Sequence, residues 1–365
     1  TTLTGDEIAS MLSYVMTKSP PDAQLAEAGR SGGEYFSPQE VSELLARITV
    51  AGKTEVNKVY DPACGSGSLL LQFAKVLGRE NVRQGFFGQE VNITTYNLCR
   101  INMFLHDINY EKFDIRHGDT LTDPVHWDDQ PFEAIVSNPP YSIKWDGDGN
   151  PLLINDPRFA PAGVLAPKSK ADLAFTLHIL NWLAVNGTAA IVEFPGVMYR
   201  GGAEQKIRKY LVDNNYVDAV IQLPQDLFFG TGIATCILVL KKSKKENSTL
   251  FIDASALFTR AQTKNKLMPS HMSKILEAVE NRTVEDYFSL VVDNNDIATN
   301  DYNPNSVAPP EMALLETSIW EDGYTMPVVC YYLPEEDVYE IVDGYHRYTV
   351  LKTSQRIRAR EQGML

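Results

Sequence analysis

The chain has 365 residues, of which 44% are hydrophobic, and its formal net charge at pH 7 is −14. This length can bury one large core together with a smaller domain, and no apolar run approaches the length of a membrane span. So acidic a chain is poorly suited to bind a polyanion unaided, since such binding depends on positive charge. The chain does not begin with a signal peptide, and cysteines 64, 99, 236 and 330 show no paired spacing. We therefore expect a cytoplasmic protein without disulfides or a metal site.

The first predicted helix, over residues 40–48, follows a turn that contains two aromatic residues. Ser37 is a suitable N-cap for this helix, and Pro38 is suitable at its first position. The same turn could close over a bound cofactor, although a good helix start explains the residues as well. The candidate cofactor contacts are Glu34, Tyr35, Phe36, Ser37 and Pro38.

An apolar run over residues 56–63 leads into a glycine-rich string, and Leu69, Leu70, Leu71 and Phe73 then begin a helix. This order predicts strand, turn and helix. Glycines let the backbone approach a ligand closely, and the start of a helix offers N–H donors. The third glycine of the dinucleotide-binding pattern is missing, because Leu70 occupies its position. The candidate ligand contacts here are Asp61, Gly65, Ser66, Gly67 and Ser68.

The next two predicted strands each carry an acidic residue near the carboxyl end. In the strand over 85–91, Glu90 follows the glycine-rich turn by about 20 residues, where a carboxylate can accept ribose hydroxyls. In the strand over 114–121, Asp119 could hold an adenine amine together with Thr120 and Leu121. An ordinary turn after a strand explains Asp119 equally well, and several nucleotide cofactors share the ribose contact.

The fourth predicted strand ends in Asn138-Pro139-Pro140-Tyr141. The exocyclic amine of adenine or cytosine is a poor nucleophile, so a site that methylates it needs two fixed acceptors for its N–H groups. The side-chain oxygen of Asn138 and the carbonyl of Pro139 are suitable, because the two prolines fix the turn. Tyr141 offers a flat face for stacking a flipped-out base. A proline turn is the structural alternative, whereas methyl transfer favours S-adenosylmethionine over a nicotinamide cofactor.

Helices and strands alternate in the following part of the chain. After a polar loop that ends near residue 170, helices are predicted over 171–185 and 203–214, and strands over 188–194, 216–223, 233–241 and 249–253. This pattern indicates an α/β fold with a doubly wound, mostly parallel sheet. The short connection at 224–232 predicts a hairpin that makes the last long strand antiparallel. The ligand crevice should lie at the carboxyl ends of the strands.

Together, the stretches 33–42, 61–72, 85–106, 137–145, 159–175 and 194–208 resemble the modification (M) subunit of type I restriction-modification systems, a family of N6-adenine DNA methyltransferases. The likeness covers roughly residues 1–300. It implies the S-adenosylmethionine-dependent methyltransferase fold, this cofactor, and double-stranded DNA as substrate. It also implies a specificity subunit and a restriction subunit as partners, and an aromatic residue at Phe194 that packs against the flipped base.

A separate specificity subunit would explain how so acidic a chain handles DNA. Several cationic side chains could still form a DNA-facing edge, although a solvated helix face explains them too. They are Lys168, Lys170, Arg200, Lys206, Arg208 and Lys209.

The chain changes character from about residue 301. Prolines 304, 309 and 310 mark a linker, followed by a predicted helix over 311–320 and extended segments over 324–332 and 338–342. The string over 343–348 resembles the G-x-H-R motif of the ParB-like, nuclease-related fold, which contacts phosphates. Gly344, His346 and Arg347 are therefore candidate phosphate or nucleotide contacts in a small α+β piece. A histidine and an arginine that merely cap a short domain are the alternative.

We thus expect a helical remnant with a cofactor-closing segment over residues 1–50, a methyltransferase catalytic domain over 51–300 and a ParB-like domain over 301–365. The short start and the replaced tail depart from the usual M subunit. The expected reaction is methyl transfer from S-adenosylmethionine to N6 of a flipped-out adenine. Two alternatives stay open: methylation of N4 of cytosine, and a catalytically idle DNA-binding adaptor that acts through the ParB-like piece.

Overall fold

A computed structural model describes residues 37–228, 232–262, 264–299, 329–333 and 338–343. The chain divides into two compact units, residues 1–300 and 301–365. The helices are α1 (Gln39–Thr49), α2 (Ser68–Leu77), α3 (Ile93–Leu105), α4 (Asp172–Trp182), α5 (Ala203–Asp213), α6 (Pro269–Asn281) and α7 (Asn294–Thr299). The strands are β1 (Val56–Asp61), β2 (Val82–Glu90), β3 (Phe113–His117), β4 (Phe132–Ser137), β5 (Leu183–Glu193), β6 (Val217–Gln222), β7 (Cys236–Lys241), β8 (Ser248–Asp253), β9 (Thr259–Arg260), β10 (Asn265–Lys266), β11 (Ser289–Asp293), β12 (Val329–Leu333) and β13 (Val338–Asp343).

Nine strands of the first unit form one sheet in the order β11-β8-β6-β7-β5-β4-β1-β2-β3. Strands β1 to β5 are mutually parallel, and β6 is parallel to β8. Strand β7 is antiparallel to both of its neighbours, β5 and β6. The predicted mostly parallel α/β fold and the antiparallel strand after the hairpin are thus confirmed. The strand order reverses between β1 and β4, which is where open α/β sheets bind ligands.

Both faces of the sheet are covered, which explains why its strands are continuous apolar runs. Helices α1, α2 and α6 contribute buried side chains to the cluster on one face, and α4 and α5 contribute to the cluster on the other. Neighbouring strand residues alternate between the two clusters: Val59 and Val136 belong to the first, whereas Tyr60 and Ile135 belong to the second. This double cover leaves the ends of the strands as the place for a crevice.

The predicted ends of one helix and one strand were wrong, and so was one predicted helix cap. The helix predicted over 171–185 ends at Trp182, and β5 begins at once because Leu183 pairs with Phe132 of β4. A buried apolar run does not distinguish helix from strand. Strand β3 ends at His117, so Asp119 lies in the following loop. Ser37 does not cap α1, because Pro38 is the N-cap residue and Gln39 the first helical one.

In the second unit, β12 and β13 form an antiparallel pair. The helix predicted over 311–320 and the candidate contacts Gly344, His346 and Arg347 lie outside the described residues. The resemblance to a ParB-like fold therefore stays a prediction. Within the described ranges, no helix is both long enough and apolar enough to cross a lipid bilayer.

Candidate active site

A cavity of about 210 Å³ lies at the carboxyl ends of β1, β2 and β4, beside the loop after β3. Its walls come from the turns after these strands and from Ser37, which precedes α1. The structure thus brings together residues that are far apart in the sequence. The lining residues that were candidates from the sequence are Ser37, Gly65, Ser66, Ser68, Glu90, Asp119, Thr120, Leu121, Asn138, Pro139 and Pro140.

The glycine-rich turn after β1 depends on backbone conformations that favour glycine. Gly65 has φ +52°, and Gly67, the N-cap residue of α2, has φ +83°. A Cβ on Gly67 would lie 2.7 Å from Sγ of Cys99 on α3, so this glycine allows the close approach of α2 and α3. Gly67 does not itself line the cavity.

Asp61, at the end of β1, is buried beneath this turn. Its Oδ1 accepts hydrogen bonds from the N–H of Ala63 at 3.0 Å and from the hydroxyl of Ser137 at 3.1 Å. Burial raises the pKa of Asp61 to about 7. The carboxyl group therefore joins the ends of β1 and β4 and shapes the turn, but it does not line the cavity.

Glu90, at the end of β2, is held by two backbone N–H groups. Oε2 accepts from Gly65 at 2.9 Å, and Oε1 accepts from Asn92 at 2.8 Å. A carboxylate offers about four lone-pair sites, so each oxygen can accept a further hydrogen bond. The geometry suits a carboxylate that accepts two neighbouring hydroxyls.

The loop after β3 is held by a residue that sequence reasoning missed. The buried Arg158 donates to the carbonyl oxygens of Thr120 and Leu121, both at 2.8 Å, and to the carboxylate of Asp156. Asp119 shapes the same loop, because its Oδ1 accepts from the N–H of Leu121 at 2.9 Å. Arg158 lies in the long polar loop, where no spacing or motif distinguishes it from a surface arginine.

Arg158 also contacts a buried histidine. Nη1 of Arg158 lies 3.2 Å from Nδ1 of His178, and Nε2 of His178 lies 3.0 Å from the hydroxyl oxygen of Tyr60. Burial and the charge of Arg158 hold the pKa of His178 well below its ordinary value. Because Arg158 can only donate, we assign the neutral tautomer in which Nδ1 accepts and Nε2–H donates to Tyr60.

The Asn138 amide is held from two sides. Its Nδ2 donates to Oγ of Ser37 at 2.9 Å, and the hydroxyl of Tyr141 donates to its Oδ1 at 2.6 Å. This explains why the Ser37 side chain does not cap α1. Tyr141 does not line the cavity; its ring is partly buried against the core, and its hydroxyl has an orienting contact that the sequence did not predict.

Phe194, after β5, does not line the cavity either. The guanidinium of Arg200 lies over its ring, with Cζ 5.3 Å from the ring centre. Arg200 also bonds Glu204 at 3.2 Å and lies 4.0 Å from Oδ2 of Asp172. Asp172 in turn accepts from the N–H of Ser142 at 2.9 Å. Arg200 and Asp172 thus connect the segment after Tyr141 with the segment that carries Phe194.

Several cavity walls were not candidates from the sequence. Ile143, Lys144 and Trp145 follow the Asn138 turn, and Phe175 comes from α4. They lie in the stretches 137–145 and 159–175 that carry the family resemblance, but no motif within those stretches singles out these four residues. Of the remaining candidates, Pro38 does not line the cavity, and Glu34, Tyr35 and Phe36 lie outside the described residues.

One group of described side chains away from the cavity has a spacing that could suit a metal ion: Asp114, His126 and Asp129. Its ligand atoms already have partners. Arg116 binds the Asp114 carboxylate at 2.6 and 2.9 Å, and His126 contacts Asp129 and the carbonyl of Gly88. We therefore assign no metal to it.

Residues 21–312 match the family model described as N-6 DNA Methylase. The chain is 53% identical over 286 residues to the methylase subunit of the type I restriction enzyme MpnII of Mycoplasma pneumoniae, a match covering 76% of this chain and 52% of that protein. It is 32% identical over 287 residues to the MjaVII methylase subunit of Methanocaldococcus jannaschii, covering 75% and 48%.

Among solved structures, the methyltransferase subunit of a type I restriction-modification system from Streptococcus thermophilus matches with a TM-score of 0.72 at 40% identity. That match covers 76% of this chain and 59% of the other. The chain spans about half the length of the curated relatives it matches.

Proposed function

The chain belongs to the N-6 DNA methylase family, and from this premise we propose that it transfers a methyl group from S-adenosylmethionine to N6 of a flipped-out adenine in DNA. In this proposal, residues 51–300 form the catalytic domain of a type I modification subunit. The observation that carries the proposal is that Glu90, at the end of β2, and the oriented amide of Asn138, after β4, line one cavity. Both strands belong to one sheet, with β1 between them.

The cofactor side of the cavity consists of the turn after β1, Glu90 and the loop that carries Asp119. The residues fit S-adenosylmethionine: a Cβ at Gly65 would meet nothing within 4 Å, so the turn leaves space beside its backbone. The fixed carboxylate of Glu90 has lone pairs for the ribose hydroxyls, and Asp119 has acceptors for the adenine amine. When bound, this cofactor supplies an electrophilic methyl group on a sulfonium.

On the target side, Oδ1 of Asn138 and the carbonyl oxygen of Pro139 would accept the two N–H groups of the adenine amine. This contact draws the amine lone pair out of the ring and directs it toward the methyl group. Ser37 and Tyr141 hold the Asn138 amide so that its oxygen is already oriented. Rate acceleration would come mainly from this alignment.

The same two acceptors would serve N4 of cytosine. The family favours N6 of adenine, and mass spectrometry of nucleosides from treated DNA separates the two products. We also propose double-stranded DNA, a specificity subunit and a restriction subunit as partners, because the relatives are methylase subunits of type I restriction enzymes. Comparing methylation with and without the specificity subunit tests this assembly.

The Asn138→Ala variant tests the reaction. We expect methyl transfer to fall by at least about 100-fold, the size of losing a preorganised hydrogen bond at a reacting group. Cofactor affinity, measured by calorimetry, should stay within about twofold of the wild type, because Asn138 would contact only the target amine. Asn214→Ala, which removes an exposed amide at the end of α5, serves as the matched control. Loss of cofactor binding in Asn138→Ala would contradict the assigned role.

A further inference from the structure

A groove adjoins the cavity on its target side. It is lined by the segment after Tyr141, by a turn near the end of the long loop, and by Ala203 at the start of α5. Lys144 and Lys168 are among its lining residues. Lys144 also lines the cavity, so the groove and the cavity meet at this side chain.

Backbone hydrogen bonds fix this part of the long loop. The N–H of Trp145 donates to the carbonyl of Lys168 at 3.1 Å, and the N–H of Ala171 donates to the carbonyl of Ile143 at 2.9 Å. Lys168 and Lys170 lie on a turn closed by the N–H of Lys170 and the carbonyl of Pro167 at 2.8 Å. Three lysines are therefore carried on neighbouring, mutually bonded backbone segments.

These lysines differ from most others in the part of the chain that the structure describes. Elsewhere, lysine ammonium groups have partners, such as Glu43 for Lys75 at 2.6 Å and Asp218 for Lys241 at 2.8 Å. Among the described residues, the lysines with neither a hydrogen bond nor an ion pair of the ammonium group are Lys144, Lys168, Lys170, Lys206 and Lys245. Two of these five, Lys144 and Lys168, line the groove. Lys170 directly follows the lining residue Ser169, and Lys206 is in the first turn of α5, three residues after the lining residue Ala203.

This concentration is unexpected in a chain with 47 acidic and 33 basic residues. The carboxylates of Asp172 and Glu204, near the start of α5, do not neutralise these lysines, because both already pair with Arg200. The other cations predicted for a DNA-facing edge also have partners: Arg208 donates to the carbonyl of Val197 at 2.8 Å, and Lys209 pairs with Asp213 at 2.9 Å.

We propose that Lys144, Lys168, Lys170 and Lys206, here called the lysine surface, bind phosphate groups of the DNA strand that flanks the base in the cavity. The proposal rests on the proposed function and adds to it the place where this chain contacts the DNA backbone. Lysine is a mobile point charge suited to phosphate, and each neutralised phosphate releases counterions. A strand leaving the cavity past Lys144 would meet Lys168 in the groove, with Lys170 and Lys206 on the backbone segments beside it.

The test replaces all four lysines of the surface by glutamine. The control variant replaces Lys75, Lys112, Lys245 and Lys274 by glutamine, which changes the net charge equally but away from the groove. Binding of a fluorescein-labelled DNA duplex is followed by anisotropy over a range of KCl concentrations. We expect the slope of log K against log salt to become shallower by about 0.9 for each phosphate that the variant no longer neutralises. The control should keep the wild-type slope.

Calorimetry with S-adenosylmethionine and thermal melting should be unchanged in a variant that replaces only Lys168, Lys170 and Lys206 by glutamine, because these three lysines do not line the cavity. If the variant with all four replacements does not fold, the single variants Lys168→Gln and Lys206→Gln should each reduce the slope by about 0.9, while Lys168→Arg should preserve it. Equal slopes in the surface and control variants, or a wild type without salt-dependent DNA binding, would overturn the proposal. Wild-type protein that binds DNA with the expected slope but transfers no methyl group, even together with the specificity subunit, would instead count against the proposed function.

Discussion

At the ends of β1, β2 and β3 the cavity is bounded mainly by bonded backbone, whereas at the end of β4 it is bounded by a turn whose side chains are held by other side chains. On the cofactor side, the N–H of Cys64 donates to the carbonyl of Gln89 at 3.1 Å, and the N–H of Gly118 donates to the carbonyl of Glu90 at 3.0 Å. On the target side, the Asn138 amide is held by two other side chains, Ser37 and Tyr141.

This difference indicates which substitutions each side of the cavity should tolerate. A site made of backbone should accept many side-chain changes as long as the path of the chain is preserved. A site made of side chains should lose function when single atoms are removed, even where the fold is unaffected. The same molecule thus offers two kinds of sensitivity that can be measured separately.

Arg158→Ala should have the largest effect and tests whether the cofactor side really depends on backbone path. The change leaves the carbonyls of Thr120 and Leu121 without their donor and the Asp156 carboxylate without its cation. Removing one member of a buried pair costs about 3 to 5 kcal/mol of the free energy of unfolding, measurable by urea denaturation. Arg116→Ala, at an exposed pair with Asp114, should cost less than about 1 kcal/mol. Similar small losses in both variants would show that Arg158 does not support the loop.

The cofactor side could be predicted from the sequence because its parts are local. A strand, a glycine turn and a helix are neighbours along the chain, and the carboxyl ends of parallel strands meet at one edge. The sequence therefore predicts Glu90 at the same edge as Gly65, and the structure joins the two by a hydrogen bond. The position of Asp119 was less well predicted, because β3 ends at His117 and the loop depends on the distant Arg158.

The target side could be predicted only in part. Its turn has a recognisable motif, but the contact between Ser37 and Asn138 joins residues 101 positions apart. No periodicity marks such a pair, and Ser37 looks like a helix cap because serine commonly serves as one. The contact between Arg200 and the Phe194 ring likewise depends on how the chain turns after β5. Tertiary packing decides these contacts, so local patterns do not reveal them.

Glu193→Gln should have the next largest effect and tests the buried acids behind the target side. Glu193 accepts from the hydroxyl of Thr176 at 2.8 Å, and burial together with Asp172 raises its pKa from 4.5 to about 8. Between these values the folded state holds the proton that the unfolded state has lost, so the stabilising effect of this group is lost as pH rises. The slope is at most about 1.4 kcal/mol per pH unit.

Glutamine cannot titrate, so this contribution to the pH dependence should be absent from Glu193→Gln. Urea denaturation of the variant and of the wild type at several pH values between about 5 and 8 measures how the free energy of unfolding of each depends on pH. The control variant Glu280→Gln, at an exposed position, should retain the pH dependence of unfolding that the wild type shows. Parallel pH profiles for wild type and Glu193→Gln would contradict the raised pKa.

Tyr141→Phe should have the smallest effect and sharpens the comparison most. It removes the hydroxyl that donates to Oδ1 of Asn138 at 2.6 Å but keeps the ring that packs against the core. The amide then loses one of the hydrogen bonds that orient it, so we expect methyl transfer to fall about 10-fold, equivalent to roughly 1.4 kcal/mol of activation free energy. Cofactor affinity should not change, and Tyr110→Phe, at an exposed ring, should match the wild type in both measurements. If Tyr141→Phe weakened cofactor binding as much as turnover, the two sides of the cavity would be one coupled unit, because a hydroxyl that donates to Asn138 would then control both.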